Sequence, residues 1–223
     1  MKVAVLQFPG TNCEYDAKYA FEELGCDVEV VWHKEYKLPK DTQLVVVPGG
    51  FSYGDYLRSG AIARFANIME DVKKFASKGG KILGICNGFQ ILLEAGLLPG
   101  AMKRNDTLHF ISKYHHLKVV NNDNKFLELL KNDDVLNIPV AHHDGNYYID
   151  QDGLKDLEKN NQILLKYCDA NGNLANMNGS VSNIAGICNK ERNVFGLMPH
   201  PERAIEEILG STDGINMLKG FLQ

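Results

Sequence analysis

Apolar and polar positions follow two rhythms along this chain, and the rhythm changes after residue 100. Before that point, short apolar or β-branched runs (Val3 to Phe8, Val28 to Trp32, Gln43 to Val47 and Lys81 to Ile85) are separated by segments of helical spacing. This alternation predicts a parallel sheet with crossover helices. Ala17, Ala20, Phe21 and Leu24 recur at three- and four-residue intervals and are followed by Gly25, which marks one helix and its stop. A second helix is expected over Ala61 to Ser77, with Ile62, Phe65, Ala66, Met69, Val72 and Phe75 on one face, and a third over Gly88 to Ala95.

Beyond residue 100 the runs Leu117 to Val120, Ile163 to Tyr167, Ile184 to Cys188 and Val194 to Met198 are split by Asn- and Gly-rich turns, which suggests strands, some antiparallel. Asn171-Gly172 and Asn178-Gly179 favour positive φ, so the Asn-rich stretch reads as turns and not as a linker. Two short helices are expected between Glu202 and Leu222. The fold class is therefore α/β: a mostly parallel central sheet flanked by helices, with additional antiparallel strands in the C-terminal half, and one domain over residues 1–223.

Composition narrows the function. With 223 residues, 44% of them hydrophobic, the chain can bury a full core. A net charge of -4 offers no basic field for a phosphate backbone, so nucleic-acid binding is disfavoured. No apolar run is long enough to cross a bilayer, and Met1 leads straight into a strand, so a cytoplasmic protein is expected and no membrane contact. Five cysteines are scattered without C-x-x-C spacing, and His109, His115, His116, His142 and His143 show no recognised ligand spacing, so no metal is expected. Gly49 to Gly54 lacks the Gly-Lys-Ser/Thr ending of a phosphate loop.

Chemistry enters at Gly84-Ile85-Cys86-Asn87-Gly88, where an apolar strand gives way to a helix. A nucleophile on such a sharp turn needs neighbours without side chains two residues away on both sides, which Gly84 and Gly88 supply. The positive end of the following helix favours a thiolate at Cys86. The turn also aims the Asn87 amide at the space where an oxyanion would form, and the bare backbone of Pro48-Gly49-Gly50-Phe51 offers Gly50 N–H as the second donor. An inert core cysteine would need no paired glycines.

Pro199-His200-Pro201-Glu202 follows the run at Val194. A residue before proline is pushed into extended geometry, and residues two apart on an extended chain face the same side. His200 and Glu202 are thus expected side by side, the carboxylate steadying one ring nitrogen while the other faces a thiol.

Cys86 with Asn87-Gly88-Phe89-Gln90, the Gly49-Gly50 loop and Pro199 to Glu202 together resemble the class I (triad) glutamine amidotransferases, a flavodoxin-like family, over nearly the whole chain. Gln7 to Cys13, Pro48 to Arg58, Asn178-Gly179-Ser180 and Met198 to Arg203 are more narrowly similar to the small-subunit family of phosphoribosylformylglycinamidine synthase. That resemblance implies glutamine hydrolysis through a thioester at Cys86, with Gln90 helping to bind glutamine. It also implies ammonia delivery to a large synthetase subunit in purine synthesis, and a small bridging subunit. No cofactor is implied on this chain; ATP and magnesium are implied on the synthetase. Ala141-His142-His143-Asp144-Gly145 departs from the family's Ala-His-Gly-Glu-Gly, so the role of that loop carries over weakly. The alternatives are a stand-alone cysteine hydrolase with a nucleophile elbow and a non-catalytic partner-binding module.

Overall fold

Leu44 to Val47 are four consecutive apolar residues, all buried, which only a central strand covered on both faces permits. In the computed structural model, which describes residues 1–223, this segment is β3 of the following order: β1 (Lys2–Gln7), α1 (Glu14–Glu23), β2 (Asp27–Trp32), β3 (Leu44–Val47), α2 (Asn67–Ser77), β4 (Lys81–Ile85), α3 (Asn87–Glu94), β5 (Ala101–Lys103), β6 (Ile111–Val119), β7 (Val135–His142), β8 (Asn146–Tyr148), α4 (Gln151–Lys159), β9 (Ile163–Cys168), β10 (Ile184–Cys188), β11 (Val194–Leu197) and α5 (Gly214–Lys219). Nine strands form one sheet in the order β2-β1-β3-β4-β11-β10-β9-β6-β7, and β5 pairs with β8 separately.

From β2 to β11 the neighbours run parallel; from β11 through β7 each pair is antiparallel. The change of rhythm after residue 100 thus marks the passage from crossover units to hairpin-like pairing, with β11 returning to complete the parallel half. The sheet also curls: the carbonyl of Pro139, on the far edge strand β7, accepts from His200 N at 2.8 Å, beyond the end of β11.

Several elements differ from expectation. The helix expected from Ala61 begins only at Asn67, because Ala66 is extended (φ -62°, ψ 146°). The preceding segment is laid against α3 at Gly60, where a Cβ would meet Ile91 N at 2.7 Å, and Phe65 is left exposed under the Arg64 guanidinium. Between Glu202 and Leu222 there is one α-helix, α5, and the rest is short 3-10 turns; Ile208 is 89% exposed, so its spacing with Ile205 is no buried face. The strand β7 and the helix α4 escape sequence patterning. Pro139 inside β7 argues against a strand, and an edge position tolerates it. In α4 only Leu157 is buried, and its start rests on the Asp150 carboxylate accepting from Gly153 N at 2.8 Å.

Candidate active site

The carboxyl ends of β1, β3, β4 and β11, adjacent and parallel, deliver Cys13, Gly49-Gly50, Cys86 and His200 to one place. Ligands of open α/β sheets bind beyond such strand ends. At the end of β4, Cys86 adopts φ 51°, ψ -108°, a sparsely populated conformation for a residue with a side chain. The turn is tight: a Cβ on Gly84 would lie 2.9 Å from the Gly88 backbone. The Cys86 thiol, 5% exposed, points toward the Ala141 carbonyl at 3.6 Å.

His200 Nδ1 and Glu202 Oε1 are 2.6 Å apart and both residues are almost fully buried. They meet by a different route from the extended chain expected: Pro201 opens a 3-10 turn through Arg203 that swings the Glu202 carboxylate back onto the ring. Burial opposes protonation of His200, but the Glu202 carboxylate and the Cys86 and Cys13 sulfurs outweigh it and hold its pKa well above the ordinary value. A Cβ on Gly49 would sit 2.8 Å from His200 Cε1 and 3.4 Å from Cys86 Cβ, so the imidazole and the thiol-bearing carbon flank the same glycine. Only a residue without a side chain lets them close on one another.

Gly50 (φ 139°) lies in an isolated bridge with Thr11, in which Phe51 N donates to Gly10 O and Asn12 N to Gly49 O. Gly50 N donates to no backbone carbonyl, and the residue lines a cavity together with Cys86. Asn87 opens α3, where its amide has no carbonyl one turn back. The Asn87 side chain accepts from Ser52 N (3.0 Å) and donates to Gln90 Oε1 (2.8 Å), tying the Gly-Gly loop to the nucleophile's helix. Gln90 is 5% exposed and its Nε2 donates to the Asp144 carbonyl at 2.6 Å, so it braces the departing loop as well as lining the cavity.

That cavity, about 420 Å³, has Cys86 in its wall together with Asp55, Ser59, Arg104, His142 and Asp144. Ser59 Oγ donates to Asp144 Oδ2 at 2.8 Å. Burial and then the nearby Asp144 push the Asp55 carboxyl up to about 6, against a weaker pull from Ser59. An ionised Asp55 therefore costs the folded state stability above pH 6 and nothing below the ordinary carboxylate value. Asp55→Asn should raise the melting temperature at pH 8, with the gain shrinking through pH 6 and gone near pH 4; an undiminished gain at pH 4 would contradict this origin. His142 is buried, its Nδ1 3.1 Å from Asn105 Oδ1, and burial followed by the His200 charge lowers it to about 4. His143 is partly exposed, paired with Asp144 at 3.0 Å, and lines the same cavity.

The structure brings Cys86, His200, Glu202, Gly50, Asn87 and Gln90 into one neighbourhood. Sequence reading missed Cys13, whose sulfur lies within 4.8 Å of ligand atoms of His200 and Glu202, and the Asp55, Ser59 and Asp144 side of the cavity. Gly10 and Cys13 follow the end of β1 as Gly50 follows β3, and that shared position was the available signal.

A family model described as a CobB/CobQ-like glutamine amidotransferase domain matches residues 1–214. The phosphoribosylformylglycinamidine synthase subunit PurQ of Sulfurimonas denitrificans is 70% identical over 223 residues, all of both chains. That of Wolinella succinogenes is 61% identical over 221 residues, 99% of each. A solved PurLQS structure from Thermotoga maritima superimposes with a TM-score of 0.89 at 42% identity, covering 99% of this chain and 97% of that one. A matched domain model over the elbow and the His-Glu turn, and full-length identity far above the level at which folds alone agree, place the chain in the class I glutamine amidotransferases, among the PurQ subunits.

Proposed function

We propose that this chain, acting as a single domain in the cytoplasm, hydrolyses glutamine as the glutaminase subunit of phosphoribosylformylglycinamidine synthase and hands the ammonia to a PurL synthetase subunit, with a small PurS subunit bridging them. The observation that carries the reading is that Cys86 and Gly50 line one cavity while His200, held by the Glu202 carboxylate, packs beside Cys86 across Gly49. The Cys86 thiolate attacks the side-chain amide carbon; the oxyanion is held by the amides of Gly50 and Asn87, each worth about 2.7–4 kcal/mol to the transition state. The imidazolium of His200, steadied by Glu202, gives its proton to the departing ammonia. The product is a γ-glutamyl thioester, which water activated by the now neutral His200 cleaves to glutamate. Gln90 helps to hold the substrate. ATP and magnesium belong to the synthetase step, away from this chain.

No helix of the chain is long and apolar enough to cross a membrane, which agrees with that setting. The direct test is alkylation by a glutamine-analogue electrophile followed by peptide mass spectrometry. One adduct on Cys86, suppressed by glutamine, is the expected result. Labelling spread over the other cysteines, or unaffected by glutamine, would remove the assignment.

A further inference from the structure

Cys13 is the one side chain at the site that hydrolysis leaves without a task. It is 2% exposed at the start of α1, and its sulfur lies within 4.8 Å of a ring nitrogen of His200 and a carboxylate oxygen of Glu202. The thiol donates its hydrogen to Asn12 Oδ1, 3.1 Å away, so the sulfur presents only lone pairs to its other neighbours. Arg203 Nη2 donates to it at 3.1 Å, and Arg203 is in turn anchored from α1, its Nε donating to Asp16 Oδ2 at 2.8 Å. The amides of Asn12 and Cys13 both donate to the Gly49 carbonyl, at 3.4 and 3.3 Å. A Cβ on Gly49 would stand 2.8 Å from His200 Cε1 and 3.0 Å from Cys13 Sγ, so ring and sulfur pack against the same bare backbone.

We infer that Cys13, held by the Arg203–Asp16 pair, is a positioning residue for His200, gripping from the α1 side a ring that Glu202 fixes only at Nδ1. The inference rests on the reading of His200 as the acid and base of glutamine hydrolysis. One hydrogen bond, from Nδ1 to Glu202 Oε1, leaves an axis about which the imidazole can still turn. The sulfur packed beside it removes that freedom, so the unpartnered Nε2 stays where the departing ammonia needs a proton. The groups that face the ring are Glu202 and Arg203 on its own turn, Cys86 after β4, Cys13 after β1 and His142 at the end of β7. Burial opposes the imidazolium, while Glu202, then Cys86 and Cys13, favour it. Burial keeps His142 near 4 and hence neutral, and Asp16 offsets Arg203. Burial also pushes the Cys13 thiol up, so it meets the charged ring as a neutral acceptor. Loss of the sulfur therefore moves the loss of the imidazolium to lower pH.

The test is glutaminase kinetics of the assembled enzyme across pH. Cys13→Ala should lower kcat by roughly 10- to 100-fold, the scale of a misplacement of up to about 1 Å. KM for glutamine should stay within about twofold, because Cys13 is not part of the cavity wall. The alkaline limb of kcat should move to lower pH. Cys13→Ser, which keeps an acceptor for Arg203, should recover part of both effects. Cys26→Ser, just before β2 at the opposite end of the sheet, should change nothing. Asp16→Asn, on a partly exposed side chain, should act in the same direction as Cys13→Ala and add little to it; full additivity of the two losses overturns the coupling through Arg203. A loss confined to KM, an unmoved alkaline limb, or an equal fall in synthesis from added ammonia reduces Cys13 to packing and overturns the inference. Absence of a glutamine-analogue adduct on Cys86 in the unaltered chain would sink the hydrolytic reading; glutamine-protected labelling with unchanged Cys13→Ala kinetics sinks the positioning role alone.

Discussion

Cys86→Ala should abolish glutamine-dependent synthesis by the assembled enzyme, by about 10⁴-fold or more, while synthesis from added ammonia continues near its normal rate. The asymmetry follows from where the reaction is divided. Everything done to glutamine passes through a bond from Cys86 Sγ to the amide carbon, and no neighbouring group can substitute: Cys13 is 2% exposed and held by Asn12 and Arg203. Ammonia supplied from outside enters the sequence after that bond has been made and broken. Cys86→Ser should behave alike, because His200 is poised as an imidazolium beside the nucleophile and so is a poor base for a hydroxyl, which needs its proton removed. Parallel kinetics with glutamine and with ammonium salts on the same complex decide the matter. Equal loss of both activities, with the complex intact, would refute the division of labour.

Gly88→Ala should destabilise the fold by about 4 kcal/mol or more, lowering the melting temperature by roughly 8–16 °C for a chain of this size. A Cβ there would stand 1.7 Å from Val47 O and 2.5 Å from Val47 C, atoms of the β3 backbone that no rotamer change can move aside. Either α3 or the β3 end must shift, and Gly49-Gly50 and Cys86 shift with them, so glutaminase activity should fail in the remaining folded protein as well. Gly79→Ala is the comparison: its φ of +83° costs strain, but nothing lies within 4 Å, and a loss of about 1 kcal/mol is expected. Calorimetry of both variants checks the contrast. A Gly88→Ala protein melting within about 2 °C of the unaltered one would show that the contact is not the reason for the glycine.

How far the site could be read beforehand depended on whether its residues carry local constraints. Gly84, Cys86 and Gly88 sit on one strand-to-helix turn, and the steric demand of that turn is written in five consecutive residues. Pro199 and Pro201 gave His200 and Glu202 correctly as neighbours, though the extended geometry used to pair them was wrong and a 3-10 turn performs the pairing. The parallel half of the sheet was equally legible, because its strands are buried on both faces and read as unbroken apolar runs. What escaped was set by distant partners. The strand β7 is buried only at alternate residues and holds Pro139, yet the curl of the sheet carries it to the backbone of His200. Cys13 and Asp144 have ordinary neighbours in the chain, and only the convergence of β1, β7 and β11 gives them their surroundings.

The backbone of Cys86, at φ 51° and ψ -108°, also sets stability and turnover against each other at a single residue. Only glycine occupies such geometry freely, and any other residue there costs of order 1–3 kcal/mol. Selection for heat tolerance alone would therefore favour glycine at position 86 and discard the sulfur on which the chemistry depends. Efforts to toughen this scaffold should hold that codon fixed and seek their gains elsewhere.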